Sequence, residues 1–292
     1  VPDVTALGTG LLLPLATSDF GVGHGSFLAY GAFDETDEGD PLFDGGVIED
    51  LDPSNLAVTS LDTSLITESV KHAWYEQTGP LHPSVGETDA DPGATDGYTF
   101  CKAPRYDGRP FEVGPLARML IRQEPRLMAL VADGVQAGTV ARHAARAFET
   151  TIICDAMARW LDELEAAFGG SDFRIHDTDH WEPPETAQGA GLYDVPRGAL
   201  GHWISIEESQ IARYQAVVPT TWNASPRDDD DVRGPYEESL IGCPVPDEDN
   251  PINVARTIRS FDPCLGCAVH IIDLEKDQTR KLIVDPFTGT WG

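Results

Sequence analysis

The spacing of hydrophobic residues divides the chain into three stretches. The first hundred residues set short apolar runs, such as residues 27–30 and 46–48, between segments rich in Gly, Pro and Asp. This pattern predicts short strands and long loops. From Leu116 the apolar residues recur at helical spacing, and between Val140 and Phe168 they recur every four residues until Gly169 and Gly170. The spacing predicts a helix of about thirty residues that stops at the glycines.

The last stretch returns to alternation. Apolar and polar residues alternate through residues 200–206 and again through residues 213–218, which predicts a hairpin that ends at Pro219. Residues 250–258 are expected to form a last short helix that delivers Cys264 to the core. Together these elements predict a mainly α fold with short β hairpins, in the α+β class.

Length and charge narrow the possible partners. A chain of 292 residues with 41% hydrophobic content can bury a sizeable core, most simply as one domain. Its formal net charge is −29, and only 4 of its 20 basic residues are Lys. Because phosphate binding needs clustered Lys and Arg, nucleic acid is not expected as a partner. The acidity and the preference for Arg suggest a halophilic source, with an acidic protein of an ordinary organism as the alternative.

Membrane and disulfide signals are weak. The strongest apolar run, residues 11–15, is too short to span a bilayer and includes Pro14, and no signal peptide is visible. Five Cys, an odd number, do not describe a disulfide framework. Cys101, Cys154 and Cys243 are expected to be buried thiols rather than metal ligands.

The segment F-D-P-C-L-G-C-A-V-H at residues 261–270 carries the most specific chemistry. Two thiolates three residues apart, Cys264 and Cys267, can bind one soft metal centre, and His270 can reach a second site. The spacing from Cys267 to His270 is too long for the C-x-x-C-H motif of covalent haem attachment. No second Cys/His pair at zinc-ribbon spacing appears, and the neighbourhood lacks the βαβ context of a thioredoxin-like pair. A metal-storing or zinc-binding module is the remaining alternative from the residues alone.

The D-P-C-x-x-C-x-x-H pattern resembles the carboxy-terminal signature of the large subunit of [NiFe] hydrogenases. Residues 193–203 (Y-D-V-P-R-G-A-L-G-H-W) and 214–223 (Y-Q-A-V-V-P-T-T-W-N) resemble two further blocks of that family, in the family's order and spacing. Shorter matches lie at residues 23–31, 102–106, 112–118 and 225–228. The resemblance covers nearly the whole chain, is closest to the respiratory, membrane-linked uptake branch, and implies that family's helix-bundle core.

The resemblance also implies a metal centre. Cys264 would be a terminal nickel ligand, and Cys267 would bridge nickel to an iron that carries CO and cyanide. Arg197 would lie over the open metal position, and Arg197 or its neighbouring backbone would also serve one cyanide. Asp262 would position Arg197 through a charge-assisted hydrogen bond. The alternative is that Arg197 merely pairs with Asp262.

Five more positions follow from the same resemblance. Thr220 would donate a hydrogen bond to the other cyanide, and Pro196 and Pro219 would shape apolar walls around the diatomic ligands. His270 would ligate an Mg2+ or Fe2+ ion, to which Ala216 would offer its backbone carbonyl. For His270 the alternative is a purely structural cap.

The chain departs from the family pattern in three places. The family's amino-terminal R-x-C-G-x-C and R-G-x-E motifs, the first of which supplies two further thiolates, are not found, so the chain is expected to be the carboxy-terminal half of a large subunit. Asp194 and Val195 stand where Glu-Ala is usual. Family members are also cut after the terminal His by a nickel-checking endopeptidase, which predicts a domain over residues 1–270 and an extension, residues 271–292, that is removed on maturation.

The sequence therefore predicts the catalytic large subunit of an uptake [NiFe] hydrogenase, which oxidises H₂ and passes electrons to an iron-sulfur small subunit. A membrane cytochrome b is a further expected partner, with the enzyme held at the outer face of the cytoplasmic membrane through the small subunit. The alternative is a catalytically inert scaffold related to respiratory-complex subunits. Retention of both Cys264 and Cys267 favours the enzyme, because a scaffold without the metal has no need of the thiolates.

Overall fold

A computed structural model describes residues 20–35, 40–170, 182–247, 249–264, 269–273 and 278–282. The chain divides into two compact units, Val1–Phe261 and Asp262–Gly292. In the first unit the helices are α1 (Pro115–Ile121), α2 (Pro125–Ala132), α3 (Thr139–Phe168), α4 (Pro219–Asn223), α5 (Pro235–Ser239) and α6 (Ile252–Ser260). Its strands are β1 (Phe27–Ala29), β2 (Ala32–Asp34), β3 (Pro41–Phe43), β4 (Gly46–Ile48), β5 (Ile66–Ser69), β6 (Ala103–Tyr106), β7 (Thr186–Val195), β8 (Gly198–Glu207) and β9 (Gln210–Val217).

Helix α3 confirms the predicted long helix, because it runs for 30 residues and is capped at its carboxy terminus by Gly169. Its buried positions cluster in the amino-terminal half and include Ala141, Ala145 and Phe148. This face packs with α1 and α2 in one hydrophobic cluster that also takes in Phe27. Each large apolar side chain buried there contributes on the order of 1.5–3 kcal/mol. The helix is therefore held by its first half.

The short helices α1 and α2 begin at prolines, where the missing N–H has no intrahelical partner to lose. All seven residues of α1 are buried, including one charged side chain, Arg118. A second buried cluster joins β5, β6 and the β7–β9 sheet to α4 through residues such as Tyr106, Trp203 and Trp222. The core of the first unit thus consists of a helical part and a sheet part.

The predicted short strands of the first hundred residues are confirmed for the part that is described. Strand β1 pairs with β4, β2 with β3, and β5 with β6, each pair antiparallel. The strands are three or four residues long and are separated by extended loops. One loop carries a single 3-10 turn at Thr63–Leu65.

The predicted hairpin is also confirmed, as β8 and β9. Strand β7 was not predicted, yet it pairs with β8 over its whole length, from Thr186 opposite Glu207 to Val195 opposite Gly198. Its Ala and Gly residues have low strand propensity, so its sequence lacks the usual signal. Pairing to β8 supplies what the propensity does not.

The described residues form a mixture of helix and strand, and the strands occupy about as much of the chain as the helices. The expected predominance of helix is corrected accordingly, and a helix-bundle core is not confirmed. No described helix has both the length and the apolar composition needed to cross a membrane.

In the second unit, β10 (Val269–Asp273) pairs antiparallel with β11 (Gln278–Leu282), with His270 opposite Lys281. The domain boundary predicted after residue 270 falls within β10 and stays a prediction.

Candidate functional site

The predicted residues Pro196 and Arg197 form a two-residue turn between β7 and β8. Val195 pairs directly with Gly198, so the two residues are the whole connection. Gly198 has φ of 131°, which side-chain-bearing residues rarely adopt. A Cβ there would lie 2.7 Å from the backbone nitrogen of Gly114. The turn is therefore packed closely against the start of α1, while Pro196 and Arg197 are exposed.

A buried arginine lies directly behind this turn. Arg118 donates from Nε and Nη2 to the two oxygens of Glu149 in α3, at 2.5 and 3.0 Å. Its Nη1 donates to Asp194 Oδ1 at 2.8 Å and to the carbonyl of Val195 at 3.1 Å, and its Nη2 also donates to the carbonyl of Pro196 at 3.1 Å. The guanidinium thus links α1, α3 and the turn.

Asp194 completes this network from the end of β7. Its side chain is fully buried and accepts hydrogen bonds from the backbone nitrogens of Tyr30, at 2.5 Å, and Gly31, at 3.0 Å. Burial opposes the charge on Arg118, but Glu149 and Asp194 hold the pKa of Arg118 above its ordinary value. Burial raises the pKa of the Asp194 carboxyl, although Arg118 and the two amides oppose that change.

The second predicted group lies at the same end of the three-stranded sheet. Strand β9 is antiparallel to β8 and ends at Val217, opposite Gly201, close to where β8 begins after the turn. Pro219 and Thr220 follow at the start of α4; Pro219 is buried and Thr220 half-buried. Ala216, which precedes them, is exposed and pairs with His202. The sheet therefore brings the two motif blocks to one edge.

Asn223 fixes this edge against the segment before α1. Its side-chain oxygen accepts from the backbone nitrogen of Val113 at 3.0 Å, and its nitrogen donates to the carbonyl of Val113 at 2.9 Å. Both groups are buried, so the pair satisfies backbone that would otherwise be costly to desolvate. Gly114 follows Val113, and a Cβ on Gly114 would lie 3.1 Å from the carbonyl oxygen of Arg197. The segment before α1 therefore contacts both α4 and the turn.

A second buried arginine holds the helix that precedes the Cys motif. Arg142 in α3 pairs with Glu112 through Nε at 2.7 Å and Nη2 at 2.8 Å, and its Nη1 lies 3.3 Å from Ser260 Oγ. One turn further on, Arg146 donates to the Ser260 carbonyl at 2.9 Å. The end of α6 is thus tied to α3 by two adjacent turns of the long helix.

The Cys motif itself is only partly described. Asp262 is half-buried with φ of 55°. Cys264 is exposed, so the prediction that the preceding helix delivers it to a core is wrong for this structure. Cys267 and the side chain of His270 lie outside the described residues. Asp262 belongs to the second unit, and its expected hydrogen bond to Arg197 stays a prediction. Among the residues that the structure describes, no three His, Cys, Asp or Glu side chains are grouped to hold a metal ion.

The expectation that the other three cysteines are buried thiols is wrong for Cys154 and is not confirmed for Cys101 and Cys243. Cys154 on α3 is exposed, while Cys101 and Cys243 are half-buried. The exposure of Cys154 follows from its place on α3, where the buried face is confined mainly to the first half of the helix.

An open cleft of about 530 Å³ lies away from these groups, and none of the predicted site residues lines it. Tyr98 donates to Glu237 across it at 2.6 Å and accepts from the backbone nitrogen of Arg227 at 2.8 Å. The lining residues are His72, Tyr98, Arg227, Arg233, Glu237 and Ile241. The cleft does not share residues with the turn.

Three supporting residues, Arg118, Glu149 and Asn223, were not predicted as part of the site. The signal for Arg118 was present, since a lone Arg between apolar residues at helical spacing must bury its charge against partners. Asn223 closes the motif block at residues 214–223, but nothing local indicates that it binds Val113. Glu149 carries no comparable signal, because its partner Arg118 is distant in sequence.

Comparison with known proteins gives a consistent result. The profile of the nickel-dependent hydrogenase family matches residues 1–270. The periplasmic [NiFeSe] hydrogenase large subunit of Desulfomicrobium baculatum is 38% identical over 286 residues, which cover 91% of this chain and 53% of that protein. The quinone-reactive Ni/Fe-hydrogenase large chain of Wolinella succinogenes is 34% identical and covers 85% of this chain and 48% of that protein.

Solved structures agree. The [NiFeSe] hydrogenase of Dm. baculatum superposes with a TM-score of 0.76 at 37% identity, covering 91% of this chain and 55% of that one. The Ni-Fe-Se hydrogenase of D. vulgaris Hildenborough gives a TM-score of 0.76 at 37% identity, covering 90% and 56%. The chain thus spans about half the length of the relatives it matches.

Proposed function

This chain belongs to the nickel-dependent hydrogenase family, and from that membership we propose that it is the carboxy-terminal part of a catalytic large subunit that oxidises H₂. The observation that carries the proposal is that the Pro196–Arg197 turn and the Pro219–Thr220 segment lie at the same end of the β7–β9 sheet. The two segments are separate in sequence, but from this end of the sheet both would face the proposed nickel-iron centre. A site built from both segments requires such a placement.

The thiolates are suited to nickel. Cys264 and Cys267 would supply two soft sulfur ligands, and the exposure of Cys264 leaves room for ligands from the rest of a large subunit. When bound, a nickel-iron centre with CO and cyanide on iron supplies the acceptor for the electrons of H₂. His270 and the backbone carbonyl of Ala216 would hold a separate Mg2+ or Fe2+ ion.

The remaining residues act by charge and shape. Arg197 would present a fixed cation, because its guanidinium stays protonated, and Asp262 would orient it. Thr220 would donate a hydrogen bond to a cyanide. Pro196 and Pro219 would exclude water from the diatomic ligands, which strengthens the few polar contacts made there.

We propose the wider assembly on the same basis. The partners would be an iron-sulfur small subunit that accepts the electrons, a membrane cytochrome b and a maturation endopeptidase, with the complex held at the outer face of the cytoplasmic membrane through the small subunit. The relatives include [NiFeSe] enzymes as well as hydrogenase-1 and hydrogenase-2 large chains, and uptake within the respiratory branch is the proposed direction. The high acidity supports a halophilic source.

A helix-bundle core would form when α3 packs with helices of the rest of a large subunit. The carboxy-terminal half of α3 supports this, because a row of apolar side chains there is more than half exposed. The row consists of Met157, Leu161, Leu164 and Phe168. Its spacing of four, three and four residues places it on one face of the helix.

The test is the complete enzyme purified from its native source. We expect H₂-dependent reduction of a viologen dye, stoichiometric nickel, and infrared bands of CO and cyanide. A stable complex of large and small subunits that lacks nickel and does not consume H₂ would instead establish the alternative, an inert scaffold.

A further inference from the structure

We propose that Arg118 is the positioning residue for Arg197, acting through the backbone of the turn rather than through any contact with the metals. The inference rests on the proposed function, because it concerns how the arginine of that site is held. Two of the five hydrogen bonds made by Arg118 go to main-chain carbonyls of the turn, those of Val195 and Pro196.

The hydrogen bonds of Arg118 use its full donor capacity. A guanidinium carries five N–H groups, and Arg118 makes five hydrogen bonds: two to Glu149, one to Asp194 and two to the turn. An ion pair needed only for stability would be complete with Glu149 and Asp194. The two bonds to the turn are additional, and only a planar fork can make all five together.

These bonds restrain the peptide on one side of Arg197. The carbonyl of Pro196 belongs to the peptide that joins it to Arg197, so the bond from Arg118 at 3.1 Å fixes the orientation of that peptide. The ring of Pro196 fixes its own φ. The Cα of Arg197 therefore leaves the turn in a set direction.

The peptide on the other side is restrained by packing. The carbonyl oxygen of Arg197 would lie 3.1 Å from a Cβ placed on Gly114, so the two backbone segments are in close contact and a side chain at Gly114 would press on this carbonyl. Gly114 has φ of 127° and lies at the start of α1, the helix that carries Arg118. One short helix thus fixes both peptides that flank Arg197.

The charges around Arg118 make the arrangement rigid. The guanidinium is buried between two carboxylates, one on α3 and one at the end of β7, and Asp194 is itself held by the amides of Tyr30 and Gly31. Moving the turn would take two carbonyl acceptors away from a buried cation, and a buried charge that loses its partners is unfavourable. Arg197 is exposed, yet the backbone that carries it is tied to the core.

The experiment compares Arg118→Lys with Arg105→Lys in the complete enzyme. Arg105 is a matched control, since it is equally buried, pairs with Asp228 at 2.5 Å, and donates to main-chain carbonyls away from the turn, those of Pro104, Pro226 and Val232. Lys retains the charge in both variants but cannot make the forked contacts. Both variants are expected to lose thermal stability.

Only Arg118→Lys should change the site. We expect kcat for H₂ oxidation to fall about 10- to 100-fold, as for a small misplacement of a reacting group, with nickel content and the KM for H₂ nearly unchanged. The infrared bands of cyanide should shift. Amide hydrogen exchange should rise in peptides that span residues 195–199 and stay unchanged at the β8–β9 turn, Glu208 and Ser209.

The inference is overturned if turn exchange and kcat stay at wild-type levels in Arg118→Lys, or if Arg105→Lys lowers kcat equally. If Arg118→Lys does not fold, Glu149→Gln keeps the shape and weakens one partner, and it should raise turn exchange to a smaller degree. A wild-type enzyme without H₂ oxidation would refute the proposed function, whereas the exchange measurement would still test the hold of Arg118 on the turn.

Discussion

The guanidinium carbon of Arg142 lies 3.6 Å from the centroid of the Phe261 ring. The same side chain is buried and paired with Glu112, and it lies 3.3 Å from the hydroxyl of Ser260 through Nη1. Phe261 comes directly before Asp262 in the sequence. A cation–π contact and an ion pair from one helix therefore fix the residue from which the D-P-C segment starts.

Arg142→Met is expected to destabilise the chain by about 3–5 kcal/mol, because it leaves Glu112 buried without its cation. The control is Arg109→Met. Arg109 pairs with Glu49 and Asp50 at the surface, and exposed pairs contribute about 1 kcal/mol or less. Urea unfolding monitored by tryptophan fluorescence measures both. Equal losses in the two variants would contradict the importance assigned to the buried pair.

Arg197→Lys keeps a positive charge but loses the planar fork. In the complete enzyme we expect H₂ oxidation to fall on the order of 10²- to 10³-fold, as for loss of one preorganised active-site donor, with nickel retained. Arg227→Lys, in the separate cleft, is the control and should retain its activity. Near-normal turnover in Arg197→Lys would reduce this arginine to a structural role.

His24 gives a pH dependence of stability. Its Nε2 lies 2.9 Å from the carbonyl of Arg233, and burial lowers its pKa from 6.5. The unfolded chain therefore takes up the proton first, so the contribution of His24 to stability is complete above pH 6.5 and is lost as the pH falls through the lowered pKa.

The comparison is between the wild-type chain and His24→Gln, which can still donate to the Arg233 carbonyl. Urea unfolding between neutral and mildly acidic pH should show a smaller loss of stability in the variant. Parallel pH profiles would mean that His24 does not cause the dependence.

The chain by itself is expected to hold no nickel-iron centre. Its motif supplies two thiolates, whereas the proposed centre requires four. Metal analysis and infrared spectroscopy of the purified chain provide the measurement. Stoichiometric nickel together with CO and cyanide bands would show that the site does not need the other two ligands.

Cleavage after His270 is expected during maturation. His270 pairs with Lys281 in the β10–β11 hairpin. Removal of residues 271–292 would take away β11, and His270 would then no longer be held in this hairpin and could bind its proposed ion. The intact mass of active enzyme from the native source is the measurement. An active form that retains residues 271–292 would indicate assembly without proteolysis.

Local patterns could predict much of this fold. Helix α3 is predicted because apolar residues recur every four positions along it. The β8–β9 hairpin is predicted because apolar and polar residues alternate up to a proline. Strand β7 could not be found in this way, because its Ala and Gly residues acquire strand structure only from pairing with β8. Because β7 gives no local signal, the sequence pattern predicts too little strand relative to helix.

The candidate site shows the same division. Pro196, Arg197, Pro219 and Thr220 were identified by motif, and the sheet brings them to one edge. The support beneath them depends on contacts between distant residues: Arg118 is 31 residues from Glu149 and 76 residues from Asp194. No local pattern specifies which carboxylates a buried arginine will meet, so these partners could be found only in the folded chain.

The exposed apolar row on α3 has a consequence for handling the isolated chain. At low ionic strength the charge of −29 keeps copies apart. At 1 M salt the screening length shrinks to about 3 Å, and apolar surfaces on neighbouring copies can then approach closely enough to adhere. Salt that relieves repulsion within each molecule thus also promotes precipitation. The salt concentration usable for the isolated chain therefore has a lower limit, set by repulsion within the molecule, and an upper limit, set by association of the apolar rows. A partner that covers the row would remove the upper limit.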